Sequence, residues 1–331
     1  MRILLALVLA IAPLQTRADP VVDRALTDVI MPGLATFADS TQHLAEVAQE
    51  DCTADSAPLR AAWNGAMDAW FGVQDLRLGP LEEEARRQNI AFWPDNTGHR
   101  PRALTRLLAS NAIPQDAAGY AQHPVSVRGL YALEAMLYEP RFNTYGTGDP
   151  GCALVRAAAA DLAALAAEVQ DAWQADFAAT LQTAGTPENT RFLTEREARQ
   201  ALFTALMVSL HFDIDERLGQ PMGSFDKPRP LRAGGRLSDR AQRNLELSLA
   251  AHEALAMALK PDATETHAAL ERVRDRATAL DDPAFAGAAD PGGRFQLEAL
   301  QTALDQVLRI ANDEIGPALG VRMGLNSLDG D

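Results

Sequence analysis

The residue best suited to chemistry in this sequence is Glu134, which lies in an apolar segment from residue 126 to residue 138. On a helix, Glu134 would share one face with three apolar or phenolic residues: Val127, Tyr131 and Tyr138. An ionised carboxylate buried there without a partner is costly, so we expect Glu134 to be paired, protonated or bound to a ligand. Two interpretations remain possible: Glu134 forms a structural ion pair with Arg77 or Arg128, or it binds a metal ion or a substrate.

Two polar residues and an aromatic corner precede this segment. Gln74 and Arg77 continue the helical stripe of three apolar residues: Trp63, Met67 and Trp70. They therefore point to where that helix meets its neighbours, and they either satisfy Glu134 or line a cavity with it. Trp93 begins a corner followed by turn residues, which is typical of a packing wedge with a helix-capping aspartate at Asp95.

The second half of the chain offers fewer candidates for chemistry. His211 and Asp215 are one helical turn apart and could share a metal ion, although a solvated or ion-paired face is the commoner outcome for such a pair. His252 and His267 stand in no carboxylate pattern that singles them out. The sequence has no glycine-rich phosphate loop, nucleophile elbow or histidine–glutamate zinc-protease signature, so no familiar enzyme chemistry is visible.

The elements that must position these residues are helices. Apolar residues recur at spacings of three and four along most of the chain, and no alternating β-branched run is long enough for a strand. Breaks at glycine and proline separate about four substantial helices on each side of residue 186. We therefore predict an all-α fold of two four-helix bundles packed together, with residues 19–186 and 187–331 as the two domains.

The first 18 residues have the layout of a cleavable signal peptide. Arg2 gives a basic start, residues 3–14 are apolar, and Thr16 and Ala18 place small residues where a signal peptidase reads. The apolar run is too short to span a bilayer, and no cysteine lies near the cleavage point. The sequence therefore predicts a periplasmic protein with no membrane span and no lipid anchor.

Charge and cysteine content fit that compartment. Acidic side chains outnumber basic ones by 45 to 30, a formal net charge of −15. Such a surface repels phosphate backbones and anionic head groups, so we expect nucleic acid and membrane surfaces to be poor partners. Cys52 and Cys152 are an even pair in an exported chain, and both lie in short polar stretches, so we expect them to form one disulfide between helix ends.

Several of these stretches together resemble the imelysin family. Residues 129–134, Gly-Leu-Tyr-Ala-Leu-Glu, resemble its hallmark Gly-x-His-x-x-Glu. Four further stretches are similar to the branch described as predicted periplasmic lipoproteins: residues 73–80, 92–95, 218–230 and 324–331. Together these matches extend over nearly all of the chain after the signal peptide.

The resemblance implies two helical bundles related by an old duplication, with a site where they meet. It also implies export and a link to iron uptake, and a peptidase activity was named for the founding member. Gly129 and Glu134 match the hallmark, whereas Tyr131 replaces its histidine. A phenol with a pKa of about 10 is neither a good metal ligand nor a proton carrier near neutral pH without activation.

Our leading hypothesis from the sequence is a non-enzymatic binding protein for a metal ion, iron or another divalent metal, or for a small molecule, with iron-uptake components as partners. The predicted ligand-binding residues are Glu134, Tyr131, Gln74, Arg77, Trp93 and Arg128. Glu134 and Tyr131 are the predicted metal ligands. A metal-dependent peptidase and an adaptor that binds another periplasmic protein are the alternatives.

Overall fold

The computed structural model describes residues 19–110, 112–114 and 116–323. These residues form helices and connecting segments with no strand, apart from an isolated bridge between Ser224 and Lys227. The predicted all-α class is confirmed. The predicted signal peptide, residues 1–18, and the stretch at residues 324–331 lie outside the described part of the chain.

The described residues of the first half form nine α-helices. They are α1 (Pro20–Arg24), α2 (Met31–Glu50), α3 (Ala57–Phe71), α4 (Arg86–Ile90), α5 (His99–Ser110), α6 (Ala117–Tyr120), α7 (Gly129–Tyr138), α8 (Pro150–Ala172) and α9 (Ala178–Gln182). Two π-helical segments, Ala25–Ile30 and Trp173–Phe177, join α1 to α2 and α8 to α9. Three single turns of 3₁₀-helix complete the half: Gly79–Leu81, Glu83–Ala85 and Val125–Val127.

Five α-helices lie in the second half, up to residue 323. They are α10 (Glu195–Phe212), α11 (Gly219–Met222), α12 (Ala241–Leu259), α13 (Thr264–Thr278) and α14 (Pro291–Leu319). The π-helical segment Asp213–Leu218 makes α10 and α11 continuous. Two turns of 3₁₀-helix, Pro230–Arg232 and Ala286–Ala289, lie in the connections.

Each half contains a ring of four helices, and the buried apolar residues of both halves belong to one continuous hydrophobic core. In the first half α2 packs against α3 and α8, and α7 packs against the same two helices. In the second half α10 and α13 each pack against both α12 and α14. The largest buried side chains of the first ring include Trp63, Trp70 and Trp173. Two four-helix bundles are therefore present, whereas the domain boundary at residue 186 stays a prediction.

The two halves are in direct contact. The π-helical segment Ala25–Ile30 packs on α12, and α1 packs on α10 and α12. Arg240, at the start of α12, forms an ion pair with Asp68 of α3. None of the helices in the described residues is long and apolar enough to cross a membrane.

The predicted disulfide is confirmed. Cys52 follows the end of α2 and Cys152 lies in the first turn of α8, and the two are bonded with a Cα–Cα separation of 5.2 Å. The bond ties the ends of two adjacent helices across 100 residues of chain.

The long connection after α10 is partly helical. Residues 219–230 carry three prolines and two glycines, a composition that favours irregular structure, but α11 continues the helix through Pro221 to Met222. The helix ends at Gly223, whose φ of 53° and approach to the backbone oxygen of Lys227 leave no room for a side chain. The irregular connection therefore begins at residue 223 and runs to α12, which places residues 231–238 against α7.

Candidate functional site

Two cavities lie side by side between α7 and the second half. The Glu134 cavity, of about 180 Å³, is enclosed by the corner at residues 93–101, by Glu134 and Glu139, and by the loop at residues 231–237. The arginine cavity, of about 200 Å³, is lined by Trp70, Gln74, Arg77, Arg87, Gln88, Ala91, Phe212 and Arg217. Trp93 and Tyr131 line both cavities, with ring centroids 6.4 Å apart. These two side chains therefore form the shared wall.

A glycine fixes the start of the helix that carries Glu134. Gly129 has φ of 71°, and a Cβ added there would lie 2.1 Å from the backbone oxygen of Ile90. Only glycine can occupy this position without moving the chain at the end of α4. The hallmark glycine thus brings α7 against α4, and the Leu130 carbonyl next to it accepts a hydrogen bond of 3.0 Å from the indole of Trp63.

Glu134 is buried, with 2% of its surface exposed. Its Oε1 accepts two hydrogen bonds from Ser238, one from the backbone N–H at 3.2 Å and one from the hydroxyl at 2.7 Å. Its Oε2 accepts no hydrogen bond within the described part of the chain. Burial raises the pKa of Glu134, against the opposing effects of Ser238 and the cation of Arg100. The carboxyl group thus lies in the cavity wall with half of its hydrogen-bonding capacity unused.

The aromatic corner forms the opposite wall of the Glu134 cavity. Trp93 precedes a cis peptide bond to Pro94, and its indole N–H donates to the carbonyl of Arg232 at 3.2 Å. Asp95 accepts hydrogen bonds of 2.8 Å from the backbone N–H groups of His99 and Arg100 at the start of α5. The predicted wedge and capping aspartate are confirmed, and Trp93 lines the cavities in addition.

Arg100 supplies a cation on the same wall. Its Nη2 donates to the carbonyl of Phe92, and its guanidinium lies 5.4 Å from the ring centroid of Tyr131. Its Nε is buried and has no hydrogen-bond partner in the described part of the chain. Burial lowers the pKa of Arg100, although Glu134 and Asp95 act to raise it. No ion-pair contact joins Arg100 to Glu134 among the described residues, so the two charges face the cavity unpaired.

The phenolate form of Tyr131 is unfavourable. Burial raises its pKa to about 12, so the side chain is a neutral phenol at physiological pH. Among the described residues, no group of three or more histidine, cysteine, aspartate or glutamate side chains is placed to hold a metal ion. Because resident metal sites use three or four protein ligands, Glu134 and Tyr131 do not by themselves fit a bare ion.

The structure brings together five of the six predicted ligand-binding residues, but around two cavities. Glu134 lines one, Gln74 and Arg77 line the other, and Tyr131 and Trp93 line both. The sixth, Arg128, lines neither cavity. Its guanidinium forms a two-pronged ion pair with Asp161 of α8, with both distances 2.8 Å. The partner of Glu134 is thus Ser238, and the suggested ion pair with Arg77 or Arg128 is not formed.

A buried charged cluster, not recognisable from the sequence, lies beside the arginine cavity. The ring of His252 on α12 lies between two carboxylates, with Nε2 3.0 Å from Asp75 Oδ2 and Nδ1 3.8 Å from Asp213 Oδ2. Asp213 also accepts a hydrogen bond of 2.6 Å from Arg217 Nε, and Ser248 donates to Asp75 at 3.3 Å. This cluster joins the segment after α3 to the second half of the chain.

Replacing Glu134 by glutamine is expected to stabilise the ligand-free protein by about 1–2 kcal/mol at neutral pH. The amide oxygen keeps both hydrogen bonds from Ser238 while the buried charge disappears. Because the pKa of Glu134 is raised from 4.5 in the folded protein, its ionisation removes stability as pH rises from about 4.5 through the folded pKa. Urea unfolding across this range measures the gain; a variant less stable than wild type at pH 7 would contradict it.

The protein is thus an all-α protein of two helical bundles, with polar cavities where the bundles meet. The family model for imelysin matches residues 30–311, and the chain belongs to the imelysin family. This confirms the resemblance seen at residues 129–134.

Solved structures show the same fold. An imelysin-like protein from Psychrobacter arcticus 273-4 has a TM-score of 0.75 at 19% identity, over 93% of this chain and 99% of that one. A protein described as an iron-regulated protein A precursor from Parabacteroides distasonis ATCC 8503 has a TM-score of 0.67 at 12% identity, over 89% and 94% of the two chains. No curated protein sequence matches the chain.

Proposed function

We propose that this imelysin-family member is a periplasmic, non-enzymatic binding protein whose ligand occupies the Glu134 cavity. The observation that carries the proposal is the carboxylate of Glu134, which is 2% exposed and lines the cavity with Oε2 unused by the described residues. Burying a carboxylate without a full set of partners costs free energy, so packing alone does not explain Glu134. The disulfide between Cys52 and Cys152 supports an oxidising compartment, and the predicted signal peptide supports export.

The charges around the cavity support a small polar ligand that carries charges of both signs. Glu134 and Glu139 supply carboxylates, whereas Arg100 and Arg236 supply cations in the same lining. Trp93 adds an aromatic wall that excludes water from one side. Such a lining favours a compact molecule with several polar groups over an extended peptide.

A metal-containing ligand suits these residues if the metal brings most of its own ligands. Glu134 would supply one oxygen and the Tyr131 hydroxyl would hydrogen-bond to the ligand or replace one further oxygen, while the arginines balance the negative charge of a chelating molecule. Iron is the metal that we propose, because a structural relative is described as an iron-regulated protein A precursor. The same lining also suits a metal-free small molecule.

The arrangement favours binding over catalysis. A metal-dependent peptidase needs about three protein ligands and an open position for water, and the described residues offer no such cluster. Tyr131, in the place of the hallmark histidine, has a pKa of about 12 and therefore cannot act as a base near neutral pH. The adaptor alternative is favoured by no specific contact.

Loss of ligand on Glu134→Gln is the expected result that tests this proposal. Untagged wild type and variant are purified from the periplasm, and their metal content is measured by plasma mass spectrometry. Each is then titrated calorimetrically with ferric citrate in a buffer that already contains iron-free citrate, and with zinc as a bare-ion control that should not bind. We expect near-stoichiometric loading of the wild type and at least about tenfold weaker binding by the variant.

The matched control is Glu271→Gln, which removes the same charge from α13, where the Glu271 side chain is 59% exposed. This variant should bind like wild type. Equal loading of wild type and Glu134→Gln, or no binding of ferric citrate by either, would contradict a metal-containing ligand at Glu134.

A further inference from the structure

The lining of the arginine cavity carries positive charge, and the acids that partly offset this charge lie outside the lining. Three guanidinium groups line it, those of Arg77, Arg87 and Arg217, and no aspartate or glutamate is among its described lining residues. The whole chain has a net charge of −15, so this local excess of cations runs against the composition of the protein. The need for a soluble, charged surface therefore does not explain these three arginines.

Four nitrogen atoms on the lining residues are buried without a hydrogen-bond partner among the described residues. They are Gln74 Nε2, Arg77 Nε, Arg87 Nη2 and Arg217 Nη2. Gln74 is 7% exposed and Arg217 is 2% exposed, so bulk solvent does not reach these side chains freely. Buried side-chain donors in native proteins nearly always have a partner. Four unmet donors around one cavity indicate that an acceptor-rich group belongs there.

The remaining contacts of the arginines leave their charge only partly balanced. Arg217 donates through Nε to Asp213 at 2.6 Å, and Arg87 forms an ion pair with Glu82 and donates to the carbonyl of Gln74. Arg77 has no ion pair with a described carboxylate, and its guanidinium lies 4.1 Å from the ring centroid of Phe212. Arg77 is thus the cation with the least compensation.

The electrostatics of Arg77 agree with this geometry. Burial, and next the neighbouring cation of Arg87, lower the pKa of Arg77 to about 10, although Asp75 and Glu82 act to raise it. An anion in the cavity would raise the pKa of Arg77, because it would offset the repulsion between the guanidinium groups and accept the unmet hydrogen bonds. Water could accept these hydrogen bonds, but it would not balance the positive charge of the arginines.

We propose that the arginine cavity is a binding site for a small multivalent oxyanion, a phosphate or a compact di- or tricarboxylate. Guanidinium groups suit such ligands because their fixed N–H donors match paired oxygens. Gln74 adds an amide donor, and Trp70 and Trp93 form apolar walls that keep the charges poorly screened. This site is separate from the ligand position at Glu134, and its occupancy does not depend on a ligand there.

Calorimetric titration of the purified full chain in low-chloride buffer tests the site, with inorganic phosphate and citrate as probes. We expect saturable one-to-one binding of at least one of them, and Arg77→Gln should weaken it by about ten- to a hundredfold, the effect of losing a charged hydrogen-bond donor. Tighter binding of phosphate identifies an inorganic ligand, whereas tighter binding of citrate identifies an organic acid. The matched control is Arg272→Gln, which removes the same charge from an exposed position on α13 and should leave binding unchanged.

Two further variants keep the test decisive. Arg87→Gln removes a second cavity cation whose side chain is 12% exposed, and it should weaken binding in the same way if Arg77→Gln does not fold. Glu134→Gln should keep full affinity for the anion even where it loses the ligand of the Glu134 cavity. Failure of both probes to bind the folded wild type would overturn the proposal. Unchanged binding in both folded arginine variants, or loss of binding in Glu134→Gln, would also overturn it.

Discussion

Reduction of the disulfide between Cys52 and Cys152 is expected to lower the free energy of unfolding by about 4–5 kcal/mol. The bond closes a loop with a sequence separation of 100 residues, so it removes a large part of the conformational entropy of the unfolded chain. It also ties the end of α2 to the first turn of α8, two helices that pack against each other in the first bundle. Its loss should therefore act on the whole first bundle.

The measurement is urea unfolding followed by circular dichroism, with the wild type compared before and after reduction. The chain has two cysteines, so a reductant acts on this bond alone. The double variant Cys52→Ser/Cys152→Ser should reproduce the reduced wild type and should not respond to reductant. An unchanged unfolding midpoint in the reduced protein would contradict the expectation.

Asp213→Asn is expected to lower the free energy of unfolding by about 3–5 kcal/mol, because removing one member of a buried ion pair leaves the other charge uncompensated. Asp213 is fully buried and accepts a hydrogen bond from Arg217, which is 2% exposed. It also lies 3.8 Å from the ring of His252. The substitution preserves the shape of the side chain, so the loss reports the charge.

Asp215→Asn is the matched control, since Asp215 lies in the same π-helical segment but is exposed. This change should alter the free energy of unfolding by less than about 0.5 kcal/mol. Equal effects of the two substitutions would contradict a stabilising role for the buried cluster.

The pH dependence of stability gives a second readout of the same cluster. Burial acts to lower the pKa of His252, but Asp75 and Asp213 outweigh it and raise the pKa above 6.5. The stabilisation from protonated His252 is therefore complete below pH 6.5 and is lost as pH rises through the folded pKa. In Asp213→Asn this loss should occur at lower pH than in wild type, because one of the two carboxylates no longer holds the proton.

Local sequence patterns were sufficient to predict the helical fold and the covalent link. Helical class follows from the spacing of apolar residues, as in α8 and α10, and pairing of two cysteines leaves no alternative connectivity. Each of these features depends on a few neighbouring residues or on a simple count.

The partners of the site residues could not be predicted in this way. Ser238 has the residue type of a helix start, but α12 begins at Ala241, and the hydroxyl of Ser238 instead donates to Glu134. His252 appeared isolated because its carboxylate neighbours, Asp75 and Asp213, come from distant parts of the chain. Helical periodicity predicts which face is buried, whereas the contacts across that face depend on how the bundles dock.

The most direct test of the central claim, that Glu134 is retained to bind a ligand, compares thermal unfolding of wild type and Glu134→Gln with and without ferric citrate. We predict that the ligand-free variant melts at a higher temperature than ligand-free wild type. We also predict that ferric citrate raises the melting temperature of the wild type, but not of the variant, above the value measured in the same concentration of iron-free citrate. A variant that melts lower without ligand, and that gains as much from ferric citrate as the wild type does, would contradict the claim.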